Sequence, residues 1–229
     1  MKRKKLSKIA ILLLTLIAVG CGGDEPKQET KVITVIDGYL HNASICIDRN
    51  KNSSCDLGEK LALKTNESGE IKIALADAQY PIIVQAKAGV TYDSDQLTPL
   101  TQSYELIAAA ASDYITPYTT LAYLNNLSLQ ELAEQFGVSA VAISSDYVQD
   151  KQDDSLLAHL TARAITPFFG IQLVNNDAPE LNTSLEQITA LALTEFNSGS
   201  NLSAINISYD DQLGVFYSKP KATSIEPYI

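Results

Sequence analysis

Between Cys46 and Glu59 the chain carries an oxygen donor at nearly every second residue. Asp48, Asn50, Asn52, Ser54, Asp56 and Glu59 fall at positions 1, 3, 5, 7, 9 and 12 of a twelve-residue loop. Calcium takes roughly six to eight oxygen ligands at about 2.3–2.6 Å, and a loop of this kind turns its odd positions inward. Glu59 would close the shell with both carboxylate oxygens, and Ser54 would act through its backbone carbonyl. Asp48, Asp56 and Glu59 supply three formal negative charges, which suits a modest affinity of roughly 10⁻⁴–10⁻³ M. Position 6 is Ser53, where an EF-hand has glycine, and no helical pattern flanks the loop, so this is not an EF-hand. The bland alternative is an Asx-rich connection, because Asn, Asp and Ser dominate ordinary turns. Calcium is the expected cofactor, in a structural role.

Cys46 and Cys55 bracket the same stretch. Two thiols without a nearby histidine are too few ligands for zinc. A disulfide is the expectation, given an oxidising compartment. Its closure would remove roughly 2.5–3 kcal/mol of unfolded-state entropy and pre-order the carboxylates.

The other chemical groups are sparse. The 229 residues hold two histidines, His41 and His159, and no tryptophan. No nucleophile elbow, zinc-protease helix motif or phosphate-binding glycine loop occurs. His159 sits between Leu157 and Leu160 in a helical pattern and reads as a packing histidine. Asp93 and Asp95 read as a solvated turn; as a carboxylate pair they are the one place an enzyme acting on carbohydrate would use. Leu129–Ser145 resembles a DNA-binding helix-turn-helix, but Gln130 to Gln149 contains no Lys or Arg, and DNA docking needs cations. Nucleic acid is not an expected partner.

Export is written at the start. Lys2, Arg3, Lys4, Lys5 and Lys8 precede an apolar run from Ile9 to Val19, about 16 Å as a helix, which is short of a bilayer span of about 30 Å. That is the shape of a secretory signal peptide over residues 1–20. The run ends Ala18-Val19-Gly20-Cys21, which resembles the lipobox of bacterial lipoproteins, with Ala18 where that family prefers leucine. The resemblance implies that Cys21 becomes the acylated N-terminus, carrying diacylglycerol and palmitate; the Gly-rich, polar residues 22–31 that follow it read as a flexible tether, so that 21–31 form the anchor segment. Gly22, rather than aspartate, favours the outer membrane under the family's sorting rule. Without residues 1–20 the chain has 12 basic and 27 acidic residues, a net charge of −15 over 209 residues. Such a charge repels nucleic acid and anionic lipid and is compatible with cations or basic partners.

These groups need a scaffold. From Lys31 to about Gly89 the apolar period is two: 32–36, 43–47, 61–65, 71–75 and 82–86 read as strands. Turn signals such as Asp37-Gly38 and Asn66 to Gly69 separate them. That spacing predicts a small antiparallel β-sandwich over 32–100. Residues 101–229 read as a helical region. Ser128-x-x-Glu131 is a capping box before Leu132, Ala133 and Phe136, and Gly137 stops that helix. A second helix covers 154–165 and a third starts at Thr183-x-x-Glu186. Ile205, Ile207 and Tyr209 alternate, turn at Asp210-Asp211 and pair back through Val215 to Tyr217 as a C-terminal β-hairpin. Ala108 to Ala111 reads as a close-packing stretch. The fold class is therefore α+β.

The stretch from Val35 to Ile73 resembles the carboxypeptidase-regulatory-like and B-repeat-like, transthyretin-type β-sandwich modules of bacterial surface proteins. Asp48, Asn50, Asn52, Cys55, Asp56, Gly58 and Glu59 match their loop, and Thr65 to Gly69 matches the segment that follows, with Asn66 for Asp. Ile115-Thr116-Pro117-Tyr118-Thr119-Thr120-Leu121 is similar to a stretch found after such modules. The resemblance implies a calcium-bearing sandwich in modules that are mostly non-catalytic. The expected function is thus an outer-membrane lipoprotein, not an enzyme, that binds a protein or glycan of the envelope or the exterior. The alternatives are a periplasmic regulator of the immunity type and, further off, a carbohydrate-active enzyme.

Overall fold

A computed structural model describes residues 29–96, 98–169, 178–210 and 212–221. The chain is α+β, with helices gathered after the main strands and a strand pair at the end. Strands β1 (Thr30–Val35), β2 (Leu40–His41), β3 (Ser44–Ile47), β4 (Lys60–Lys64), β5 (Glu70–Ala74) and β6 (Ile82–Ala86) come first. They are followed by β7 (Tyr92–Asp93), β8 (Tyr104–Ala108) and β9 (Tyr114–Ile115). Two sheets form, β5-β1-β9 and β4-β3-β6-β8, with a small β2-β7 ladder beside them. Among the described residues all strand pairings are antiparallel except β1 with β9, which is parallel, a departure from the all-antiparallel expectation. The expected boundary at residue 100 falls before β8 and β9, which complete the two sheets.

The period of two does the sorting. In β1 and β5, Ile33, Val35, Ile71 and Ile73 turn to the core while Val32 and Lys72 face out. In β3 every residue is buried, because its sheet is covered on both faces. One face joins Ile45, Ile47, Ile82, Val84 and Leu106 to the main core. The other carries Cys46, Ile83 and Ile107 beneath Cys55, Tyr123 and Leu124.

Helix α1 (Pro117–Asn125) supplies that second cover. Thr116 caps it in a reciprocal box with Thr119, Pro117 occupies the first turn, and Asn126 ends it in the left-handed region. The Thr120 hydroxyl accepts the Ile107 amide at 3.0 Å, which stitches the helix start to β8. The Ile115–Leu121 stretch is thus a cap and a splice. Helix α2 (Leu129–Phe136) has the expected Ser128–Glu131 box and the Gly137 stop. Helix α3 (Ala140–Ile143) has four residues, about one turn, too short for a helix laid along a DNA groove. Helix α4 (Asp153–Ile165) packs Leu157, Leu160 and Ala164 inward. Helix α5 runs Ala178–Asn197, five residues longer at its start than expected from Thr183. The expected hairpin forms from β10 (Ile205–Asp210) and β11 (Val215–Pro220), but Asp210 pairs with Val215 at the end of the strand rather than lying in the turn. Of the expected packing stretch Ala108 to Ala111, Ala108 is buried in the core while Ala109 to Ala111 are exposed. Among the described residues no helix is long and apolar enough to cross a membrane.

Gly69 fixes the turn between β4 and β5. Its φ is +71°, and a Cβ there would lie 2.4 Å from the Val35 carbonyl oxygen. Gly69→Ala should therefore cost about 1–3 kcal/mol from strain and backbone contact. Urea unfolding of the variant checks this, and a loss below about 0.5 kcal/mol would show that the turn relaxes freely.

Candidate functional site

The loop from Cys46 to Glu59 leaves β3 and returns into β4, and all six expected donors lie on it. Cys46 and Cys55 are disulfide-bonded, with Cα atoms 5.5 Å apart. The disulfide ties the loop onto the covered outer face of the sheet, and the Ser53 hydroxyl meets the Tyr123 hydroxyl at 3.1 Å, docking the loop on α1.

The carboxylates turn inward onto the backbone. Asp48 is fully buried; its Oδ1 accepts the Asn52 amide at 3.0 Å and its Oδ2 the Ser53 amide at 2.9 Å. Glu59 Oε1 accepts the amides of Arg49 at 2.8 Å and Asn50 at 3.3 Å, and Oε2 that of Asp56 at 3.3 Å. Asp56 Oδ2 accepts both the Asn50 and Asn52 side-chain NH₂ groups at 2.8 Å. Ser53, at the position where glycine was absent, has φ +59°, and Lys51 has φ +58°. The left-handed bend is made without glycine, and the Asp48 carboxylate pins it.

The donors fit a hard cation in kind and number. Their arrangement is a separate matter. Among the described residues no three His, Cys, Asp or Glu side chains are grouped closely enough to hold a metal ion. Asp48, Asp56 and Glu59 each serve a different set of amide donors. To chelate, Asn50 and Asn52 would turn their carbonyl oxygens inward, and Asp56 would release their NH₂ groups. Leu57, at the outer end of the loop, is fully exposed.

A second polar cluster lies where β7, α4 and the hairpin meet. Asp93 and Asp95 are not a solvated turn: Asp93 is 3% exposed, and the Asp95 side chain 13%. Nor is His159 a simple packing residue. Its Nε2 lies 2.5 Å from Asp95 Oδ2, while Lys221 Nζ and Arg163 Nη1 reach Asp95 Oδ1 at 2.5 and 3.5 Å. Asp93 Oδ1 accepts the Asp95 amide at 2.8 Å. Gly38 lets the turn after β1 approach, since a Cβ there would meet Asp93 Oδ1 at 2.1 Å. His159 and Arg163, four apart on one helix face, are the signal in the sequence for this cluster.

Burial alone would raise the Asp95 carboxyl, but the His159 hydrogen bond and the positive charges of Arg163 and Lys221 hold it well below the carboxylate range. Burial pushes Asp93 up to about 6, helped by the Asp95 charge. It also raises Asp37, which feels the Asp93 charge. Burial lowers His159 despite its Asp95 partner.

These shifts give a pH dependence. A carboxyl raised on folding is stabilised by its proton, so the Asp93 contribution is present below the ordinary value of 3.8 and is lost as pH rises through about 6. The depressed Asp95 has the opposite sign; its contribution is present above the ordinary carboxylate range and is lost only in strong acid. Asp93→Asn should then raise stability near pH 8 by about 1–3 kcal/mol and flatten the fall between roughly pH 4 and 7. Urea midpoints across that range check it; a variant less stable than the parent at pH 8 would contradict it.

Comparison with protein-family models, with curated proteins and with solved structures found no match. The expected signal peptide (1–20), the acylation site Cys21 and the tether up to residue 28 lie outside the described residues, whereas Thr30 and Lys31, expected in the tether, belong to β1 and pair with Ala74 and Ile73.

Proposed function

We propose that the chain is a non-catalytic outer-membrane lipoprotein, anchored through Cys21, whose β-sandwich binds another envelope or extracellular component through a calcium-ordered loop. The single observation that carries this reading is that Asp48, Asn50, Asn52, Ser54, Asp56 and Glu59 lie on one loop, which is pinned by the Cys46–Cys55 disulfide and docked on a helix. Calcium would be held by those six residues. Bound there, it supplies positive charge that fixes the loop and couples loop order to binding energy. Leu57 offers the partner an apolar contact at the loop's outer end. The acidic surface keeps the module from anionic headgroups.

Envelope fractions passed over the immobilised chain from residue 22 onward test the binding role. Calcium-dependent retention of one component, lost with Leu57→Asp, is expected. Retention indifferent to both chelator and Leu57 would contradict it. Labelled palmitate incorporation, abolished by Cys21→Ser, tests the anchor.

A further inference from the structure

A groove of about 790 Å³ runs past the second cluster, inside the range of roughly 300–1,000 Å³ typical of small-ligand sites. Leu156, His159 and Arg163 of α4 line it at spacings of three and four, which puts one helix face along it for about 10 Å. Among the described residues its charges cancel: Glu70, Asp95 and Asp146 stand against Lys151, Arg163 and Lys221. Burial lowers His159 from its ordinary value, so it adds no charge in mildly alkaline buffer. Each charged group is also engaged within the protein. Asp95 holds Arg163 and Lys221. Asp146 accepts the Tyr39 hydroxyl at 2.8 Å and the amides of Val148 and Gln149 at 3.1 and 2.9 Å. The Lys151 ammonium donates to the Val148 carbonyl, and Glu70 accepts the Asn66 side-chain amide. A ligand charge of either sign would therefore meet a wall whose charges are already spent. The neutral groups are different. The side chains of Thr34, Ser68, Gln149 and Ser203 also line the groove, and none of them makes a hydrogen bond among the described residues.

We infer that this groove binds a short neutral glycan, about two or three pyranose rings long, laid along α4 with its hydroxyls on Thr34, Ser68, Gln149 and Ser203. The wall chooses the class. A sugar hydroxyl donates and accepts at one atom, and the serine and threonine hydroxyls and the glutamine amide offer it both. It can also use the lone pairs left on Asp146 and the remaining donors of Lys151 without bringing a charge of its own. Val148, Leu156 and Leu202 supply aliphatic surface for the C–H faces of the rings. An ammonium or carboxylate group would shed its water here without gaining a counter-charge. A peptide that adds as a strand needs a free edge, and β1, which lines the groove through Thr34, is held between β5 and β9. No residue of the loop from Cys46 to Glu59 lines the groove, so this site stands independently of the calcium reading.

Calorimetric titration of the chain from residue 22 onward with cellotriose, maltotriose and N-acetylated chitotriose tests this. At least one should bind with a dissociation constant of roughly 1 mM or below. The de-N-acetylated chitotriose, a cation, and trigalacturonate, an anion, should bind at least roughly tenfold more weakly than that neutral trimer. Gln149→Trp and Ser203→Trp put a bulky ring into the groove from two exposed positions. Each should keep the parent's melting temperature and weaken the neutral trimer by roughly tenfold or more. Chelator should leave the titration unchanged. No binding by any of the three neutral trimers at about 10 mM would overturn the inference, as would a charged trimer that binds as tightly. Equal affinity for N-acetyl-trialanine amide would make this a peptide groove and overturn it too. Affinity that both folded tryptophan variants retain would place the glycan elsewhere, and if chelator abolished it, on the loop between Cys46 and Glu59.

Discussion

Asp48→Ala should cost about 2–4 kcal/mol and abolish any response to calcium. The carboxylate is fully buried and accepts two backbone amides, those of Asn52 and Ser53. Those amides belong to the bend in which Lys51 and Ser53 are held at positive φ without glycine. Alanine leaves two donors without their acceptor, at about 1–3 kcal/mol for each that stays buried, and releases a strained turn. Asp48→Asn keeps one acceptor and should lose about half as much. Urea unfolding in chelator reads the structural part alone. If Asp48→Ala falls within about 0.5 kcal/mol of the parent, Asp48 does not organise the loop and the proposed cation site loses its anchor.

Removal of the disulfide is the second large effect. Cys46→Ala with Cys55→Ala should destabilise by about 2.5–3 kcal/mol, the loop-closure entropy of a ten-residue ring. For a domain of this size that is a drop in melting temperature of about 5–12 °C. The site adds its own reason. Cys46 packs with Ile83 and Ile107, and Cys55 helps to cover them beside Tyr123 and Leu124. Freed from Cys46, the Cys55 arm would lift off the sheet face and carry Asp56 with it. Calcium affinity should then weaken along with stability. An unchanged melting temperature would mean that the hydrogen bonds of Asp48 and Glu59 hold the loop unaided.

The reading of the sequence was best where a local pattern and a half-buried surface coincide. The strands that carry Ile33, Ile71 and Ile73 alternate in the chain and in the fold, and the Ser128 box and Gly137 stop act within one turn. It failed where burial is all-round or the partner is distant. Strand β8 is buried at all five residues and α1 at six of nine, so neither shows an amphipathic period. The parallel β1–β9 pairing joins residues 34 and 114, and no local signal sets it. Helix α5 begins at Ala178-Pro179, where proline suits the first turn, rather than at the Thr183 box. The six oxygen donors between Asp48 and Glu59 were legible because they are neighbours; their hydrogen bonding to one another was not. The Asp95 cluster was hidden because His159, Arg163 and Lys221 come to it from 64 to 126 residues away. Taken alone, Asp95 looks like part of a solvated turn and His159 like a packing residue.

The account rests most heavily on the loop between Cys46 and Glu59 taking a hard divalent cation. Melting of the disulfide-intact chain, first in chelator and then with calcium at about 100 times its dissociation constant, tests this directly. The account predicts a stabilisation of about 2.7 kcal/mol, or about 5–11 °C, absent in Asp48→Ala and in Glu59→Gln. A melting temperature that calcium does not move would contradict it and leave a loop held by its own hydrogen bonds and its disulfide.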